Sequence, residues 1–395
     1  MRVVLRALCV ATGAWCFRPP QRLEARPRGL ARRGAGEDEE ARASFGGLRL
    51  LEWLPSQQLL VKTAKWGTGF AWRTMMSELA PQSPEGGYVR PNSQRGGARA
   101  EVVADLADEA GRYVLYAGNA CPWCHRTTLA VALREAEALV AVVALDDDPT
   151  RARRGGWTFS EAEPDPVFGA PDLKGVYDAC APDGAHVGRV TAPLLVDRKL
   201  RCIVSNESGD IVRALVSHRG TRVNDRDLRP PDLAAAVDEL NDFTYEQINN
   251  GVYRAGFATR QGPYEAAEKD VHEGLAKCDD LLSRQPFLAG DVLTEADLRL
   301  LPTVDRFDAC YGPLFRCGRK TIARDYAHVD AWRRRLRTLP NVAASVDVAD
   351  AARSYFGSLF PLNPSGIVPV APDDDDAPCV PGLDLAACTR AFSAA

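Results

Sequence analysis

The stretch Tyr113-Val-Leu-Tyr-Ala-Gly-Asn-Ala-Cys121-Pro-Trp-Cys124-His125-Arg126 constrains the fold more than any other part of the chain. Residues 113–117 are a short β-rich run that breaks at Gly118-Asn119, a turn signal. Cys121 comes next, followed at once by Pro122. Proline suits the first position of a helix, because the amide it lacks would be unpaired there. Cys121 then falls at the N-cap, with its sulfur facing the free amides of the first turn. Those amides and the helix dipole stabilise a thiolate. Strand, turn, cysteine, proline and helix in this order suit a redox or thiol-transfer site.

The pattern around this stretch is α/β. A helix is predicted from residue 122 to about 137, and Val140–Leu145 reads as a continuous apolar strand. Residues 146–190 are rich in Pro, Gly and Asp and read as one long loop, a kind that is usually functional or disordered. Residues 194–197 and 201–204 follow as two strands with a tight turn between them. Asn206 suits the N-cap of a helix running to about residue 217. The resulting order, β-α-β-β-β-α, is that of a thioredoxin-like domain. Pro193 stands just before a strand, where such folds carry a cis-proline facing the active cysteine, although most X–Pro bonds are trans.

After a polar linker, residues 219–230, the signal turns helical. Leu233, Val237, Leu240, Thr244 and Ile248 share one helix face, as do Val271, Leu275, Cys278 and Leu282. Thr294 with Asp297 three residues on reads as a capping box. Asp325 and Pro340 bracket a further helix. The expected organisation is a segment 1–45, an N-terminal extension 46–112, an α/β domain 113–218, the linker, an all-helical domain 231–362 and a C-terminal tail 363–395, of which residues 371–395 read as solvated. Trp53, Trp66 and Trp72 of the extension are expected to be partly buried.

A chain of 395 residues holds about two domains, and 46% hydrophobic residues suffice for a sizeable core. A net charge of -4 gives no reason to expect a nucleic-acid partner. No apolar run approaches the ~20 residues that span a membrane. The 11 cysteines are odd in number and irregularly spaced, so a secreted disulfide framework is not expected. Before Glu37 the only acid is Glu24, while arginines run from Arg2 to Arg33. That is the composition of an organelle transit peptide, plastid or mitochondrial; the alternative is a basic tail with no address on a cytoplasmic protein.

Cys121-x-x-Cys124-His125 admits a thiol-active site, covalent haem attachment or inert buried cysteine. Haem would need a second axial ligand, often Met, and Met1, Met75 and Met76 all lie upstream. A zinc site would need two further ligands at motif spacing, and none is seen, so no metal is expected. Glu207-Ser208 at a helix start either serves the helix dipole or, with the free amides, holds a small zwitterion's carboxylate and ammonium. Trp157, beside Gly155-Gly156, is a packing anchor or a ligand contact. Tyr253 and Tyr355 read by default as buried side chains with satisfied hydroxyls. Exposure is as plausible as a role for His125 and Arg126.

Eight ordered segments make the chain similar to a known family. They are Asn119-Ala-Cys-Pro-Trp-Cys-His-Arg126, Gly156-Trp-Thr-Phe159, Arg189-Val-Thr-Ala-Pro-Leu-Leu-Val-Asp197, Ser205-Asn-Glu-Ser208, Asn249-Asn-Gly-Val-Tyr-Arg-Ala-Gly-Phe-Ala258, residues 290–299, Arg306-Phe-Asp308 and Asn363-Pro-Ser-Gly-Ile-Val-Pro369. The chain resembles the glutathionyl-hydroquinone reductases, the omega-like Xi-class glutathione transferases, over about residues 46–370. The resemblance implies a thioredoxin-like domain followed by an all-α glutathione-transferase C-terminal domain, assembled as a homodimer. It implies Cys121 as nucleophile and glutathione as co-substrate. Trp157, Glu207, Ser208 and the backbone of Ala192 would bind glutathione, and Tyr253 and Tyr355 would hydrogen-bond a hydroquinone oxygen. The implied reaction cleaves a glutathionyl-hydroquinone through a Cys121–glutathione mixed disulfide. The family's usual alanine, valine, serine and histidine are here Cys124, Ala192, Gly209 and Ser354. Cys124 opens the alternative of a glutaredoxin-like dithiol reductase, and a non-catalytic binder of glutathione conjugates is the competing class.

Overall fold

The computed structural model describes residues 57–91, 106–148, 150–359, 361–370 and 381–392. The basic segment 1–45, Trp53 and the acidic run 373–376 lie outside the described residues. The chain divides into two units at Gly67. What is described of the first is the opening half of a helix, α1 (Gln57–Leu79), on which Trp66 is exposed rather than partly buried as expected. Trp72, in the second unit, is half-buried and donates from its indole to the Pro361 carbonyl at 3.0 Å.

Within the second unit a four-stranded sheet runs in the order β2-β1-β3-β4. Its strands are β1 (Tyr113–Gly118), β2 (Val140–Leu145), β3 (Leu194–Asp197) and β4 (Cys202–Ser205). β1 pairs parallel with β2, Tyr113 opposite Val140, and antiparallel with β3; β3 and β4 are antiparallel. β1 is buried along its whole length and divides two cores by the two-residue period of a strand. Tyr113, Leu115 and Ala117 join the core under the helical half, and Val114 and Tyr116 join the smaller core on the opposite face.

Helix α2 (Pro122–Arg134) starts at Cys121 and stops at Glu135, which takes a left-handed conformation at φ 50 and closes the helix with its own amide. The helix therefore ends short of the expected residue 137. The expected long loop contains a helix, α3 (Leu173–Ala179), so the order of this half is β-α-β-α-β-β-α. Seven residues including Gly175 are too few for a periodic signal. The helix instead depends on a cap, Asp172, which accepts from the Gly175 amide at 2.9 Å and holds Arg153. α4 (Ser208–Ser217) is capped by Glu207 and not by Asn206. Asn206 is turned inward, its amide donating to the Tyr177 hydroxyl at 2.9 Å and to Thr191 Oγ1 at 3.3 Å. The peptide between Ala192 and Pro193 is cis, as thioredoxin-like folds require and general statistics do not.

The linker contributes a two-residue strand, β5 (Arg226–Asp227). The helical half follows with α5 (Ala234–Thr244), α6 (Gly251–Phe257), α7 (Gln261–Leu282), α8 (Glu295–Arg306), α9 (Ala327–Arg337) and α10 (Val348–Ser358). The expected face of α7, from Val271 to Leu282, is buried throughout. The capping box of α8 is present, and Asp297 also accepts from Leu288 N and Trp332 Nε1, each at 3.0 Å. Two π-helical turns, Tyr245–Asn249 and Phe307–Tyr311, follow directly on α5 and α8. Such turns shift a helix's register by one residue and often mark functional sites.

The tail is not wholly solvated. Its described part forms a helical turn, α11 (Leu385–Cys388), and a strand, β6 (Arg390–Ala391), antiparallel to β5. Cys388 is buried and its carbonyl accepts from Leu293 N at 2.8 Å. The guanidinium groups of Arg134 and Arg219 both lie over the Phe392 ring, at 4.8 and 4.2 Å from its centre.

Candidate active site

Cys121 sits at the N-cap of α2 with extended backbone, φ -79 and ψ 115, and its half-buried sulfur accepts from the Cys124 amide at 3.4 Å. The Ala192 carbonyl is 3.7 Å from the same sulfur. Burial acts to raise the pKa of this thiol. The Cys124 thiol, the amides of Cys124 and Trp123 and the charge of Arg306 outweigh it, and the pKa falls from the usual 9.0 to about 7. Cys124 responds in the opposite direction. It is fully buried, and burial with the adjacent Cys121 holds it well above the usual thiol range.

Arg306 explains how the loop before Cys121 is held. It is the last residue of α8 and is completely buried. Its guanidinium donates to the carbonyls of Asn119 (2.6 Å), Ala120 (3.2 Å) and Pro302 (3.0 Å) and to Nδ1 of His125 (3.1 Å). With Nδ1 accepting, His125 Nε2 carries the hydrogen and donates to Ser345 Oγ at 2.7 Å. Burial first, then Arg306 and Arg337, keeps His125 neutral. Asn119 ties the same loop to the start of α10, donating to Asp350 at 2.8 Å and to the Asp347 carbonyl at 3.0 Å. His125 and Arg126 are thus buried, not exposed. The Arg126 guanidinium lies over one indole, that of Trp123, at 4.5 Å; Arg90 lies over the same ring at 4.1 Å.

A cleft of about 830 Å³ opens at Cys121. Trp157, Ala192, Glu207, Ser208, Tyr253 and Tyr355 all line it, so every sequence-predicted site residue meets there except Cys124, which lies beneath. Trp157 rests on the backbone of Gly118: a Cβ at that glycine would stand 2.1 Å from the indole ring. Glu207 serves its own helix by accepting from Gly209 N at 3.2 Å, and the buried Ser208 hydroxyl donates to it at 3.4 Å. The helix-capping role and a place in the cleft are therefore compatible. Gly209, where the resemblance implies serine, leaves room for Arg299, whose Nη2 donates to the Gly209 carbonyl at 2.9 Å.

The helical half supplies the opposite wall. Tyr253 and Tyr355 share a hydrogen bond of 2.6 Å between their hydroxyls, and Tyr311 joins Tyr355 at 3.1 Å. Burial, then the nearby Cys121, pushes Tyr253 up to about 12; burial and the neighbouring phenols raise Tyr311 and Tyr355 well above their usual range. All three stay protonated at neutral pH and can donate. Tyr311 and the role of Arg306 were missed by sequence reasoning, although Arg306 belongs to a recognised segment. Ser354, Ser358 and Asp147 also line the cleft.

A thioredoxin-like layer with an N-capping cysteine, closed by a helical domain that brings tyrosines over the sulfur, defines an enzyme of the glutathione transferase superfamily. Residues 261–335 match the family model of the glutathione S-transferase C-terminal domain. The glutathionyl-hydroquinone reductase of Sphingobium chlorophenolicum is 39% identical over 309 residues, covering 77% of this chain and 94% of that protein. A solved Xi-class glutathione transferase of Natrialba magadii shares 35% identity at a TM-score of 0.65, covering 76% of this chain and 91% of its own. A glutathione-bound transferase homologue of Escherichia coli K-12 shares 36% at a TM-score of 0.62, covering 67% and 86%. The chain belongs to the glutathionyl-hydroquinone reductases, the Xi class of glutathione transferases.

Proposed function

We propose that the protein reduces glutathionyl-hydroquinones with glutathione, through a mixed disulfide on Cys121. The observation that carries this is one sulfur, shifted toward ionisation at neutral pH, in one cleft with the hydroxyls of Tyr253 and Tyr355. The Escherichia coli homologue with glutathione bound and the reductase named in Sphingobium chlorophenolicum support the substrate class.

In the first step the Cys121 thiolate attacks the glutathione sulfur of the conjugate. The bond from that sulfur to the ring carbon breaks, its electron pair stays on the ring, and the carbon takes up a proton. Hydroquinone leaves and a Cys121–glutathione disulfide remains. Protonated Tyr253 and Tyr355 donate to a ring oxygen and stabilise the negative charge that builds there, the action of an oxyanion hole. In the second step the thiolate of another glutathione attacks the glutathione sulfur of the mixed disulfide, releasing glutathione disulfide and the Cys121 thiolate. A lowered thiol pKa favours both attack and departure of Cys121. Trp157, Glu207, Ser208 and the Ala192 backbone hold the tripeptide in this scheme. Homodimer formation is part of the same reading, and sedimentation checks it.

The deciding experiment is single-turnover mixing of the purified protein with a glutathionyl-hydroquinone. A burst of free hydroquinone equal to the protein is expected, and Cys121→Ala abolishes it. Full turnover by Cys121→Ala, or binding with no release by the native protein, refutes the scheme; the latter outcome would mark a pure binder.

A further inference from the structure

We propose that Cys124 is a second redox centre, which attacks the Cys121–glutathione disulfide from inside the chain and leaves a Cys121–Cys124 disulfide. This rests on the mixed-disulfide reading above and extends it to a dithiol activity toward small disulfides.

Among the described residues the geometry gives Cys124 one redox partner. Its side chain is almost wholly buried, 1% exposed, in the core beneath α2, and it does not line the cleft. A dissolved thiol or disulfide has no path to it. Cys121 is the exception, because the first turn of α2 closes around that sulfur: the Cys124 amide donates to it at 3.4 Å and the Cys124 thiol hydrogen-bonds to it. Cys121 is the N-cap, with extended backbone dihedrals while its carbonyl accepts from His125 N at 3.1 Å, so its side chain can turn from the cleft toward Cys124 without unwinding the helix.

The state of Cys121 controls the reactivity of Cys124. Burial raises the Cys124 thiol most and persists throughout; while Cys121 is a thiolate, the hydrogen bond and the repulsion between the two sulfurs hold the Cys124 proton further. Once Cys121 is joined to glutathione, that charge is gone and both effects vanish. The Gly118 amide and the Arg306 charge, which favour a Cys124 thiolate, remain. Loading of Cys121 thus lifts the two restraints its thiolate imposes and leaves burial as the one that remains, which makes its neighbour a better nucleophile than in the free enzyme.

The step balances without an added reagent. The Cys124 sulfur forms a bond to the Cys121 sulfur, the bond from Cys121 to the glutathione sulfur breaks, and the Cys124 proton leaves on glutathione as its thiol. Return uses glutathione twice. One thiolate attacks the accessible Cys121 sulfur and restores the mixed disulfide with Cys124 reduced; a second completes the cycle already described. Abundant glutathione therefore keeps the enzyme on the single-thiol route, and scarce glutathione parks it as an internal disulfide. Parking also removes the Cys121 thiolate from further oxidation, which begins from that form.

The test treats the reduced, desalted protein with one equivalent of glutathione disulfide, followed by an alkylating quench and mass spectrometry. Tryptic cleavage after Arg112 and Arg126 places both cysteines in one peptide. The native protein is expected to release two glutathiones per chain and to yield that peptide short of two hydrogens, with no adduct. Cys124→Ala and Cys124→Ser are expected to release one glutathione and to keep a glutathionyl unit on Cys121. A stable adduct on Cys121 in the native protein, with Cys124 alkylated after unfolding, overturns this proposal and leaves the mixed-disulfide scheme intact. Absence of any adduct or internal disulfide in all three proteins overturns both.

Discussion

Gly118→Ala is expected to remove Trp157 from its seat and so weaken glutathione binding without altering any residue that faces the cleft. The new Cβ would stand 2.1, 2.7 and 3.0 Å from three carbons of the indole. Carbon atoms pack at about 3.5–4.0 Å, so the ring must move by roughly 1–2 Å. The Trp157 backbone cannot follow easily. Its carbonyl accepts from Leu173 N at 3.1 Å, and the next amide donates to Asp146 at 2.8 Å. The ring has to rotate away instead. Overpacking of this kind costs about 1–3 kcal/mol, a fall in melting temperature of roughly 2–6 °C. If the ring contacts glutathione, losing that contact at a similar cost raises KM for glutathione about 5- to 150-fold. Calorimetry and initial rates measure both, and Trp157→Ala supplies the control. In the double variant the clash has nothing to meet, so its melting temperature should equal that of Trp157→Ala alone. Unchanged melting and unchanged KM in Gly118→Ala would show that the close seat of Trp157 does not govern binding.

The rate of Cys121 alkylation by iodoacetamide should follow a titration with a midpoint of about 7, and Arg306→Gln should move that midpoint upward. A midpoint near 9 in the native protein contradicts the site described. The sign for stability follows from the lowered value: the thiolate's contribution is present above the unfolded pKa near 9 and is lost as pH falls through about 7. Denaturant titrations of the native protein and Cys121→Ser should converge below that range. Tyr253→Phe and Tyr355→Phe should each lower kcat for a glutathionyl-hydroquinone by roughly 10- to 1,000-fold, the worth of an oxyanion donor or less. Glutathione-disulfide exchange has no ring oxygen to stabilise, so equal losses in that reaction would count against the assigned roles. Residues 1–45 fused to a fluorescent protein should carry it to plastids or mitochondria; a diffuse cytoplasmic signal rejects the address.

The cysteine, its proline and its strand were legible because they are contiguous: each local preference acts within a few residues of the next. The capping box of α8 and the buried stripe of α7 were legible for the same reason. What escaped depends on contacts across long sequence separations. Arg306 bonds carbonyls 186 and 187 residues away, and nothing beside it in the chain announces this. Tyr311 looks like any core aromatic until a π-helical turn aims it at Tyr355. Asn206 lost the cap to Glu207 because Tyr177 and Thr191 offered its amide better partners. The β5–β6 pair joins the linker to the end of the chain, and two-residue strands carry no pattern of their own.

The anchoring of residues 119 and 120 by Arg306 also decides where this chemistry could be cut out and reused. A fragment stopping at the linker would keep the sulfur, its helix and the sheet, yet its reactive corner would have no cation behind it and no phenols above. Anyone transplanting the catalytic tool would have to carry the chain through Tyr355, since the nucleophile's own backbone is gripped by a side chain from the other half.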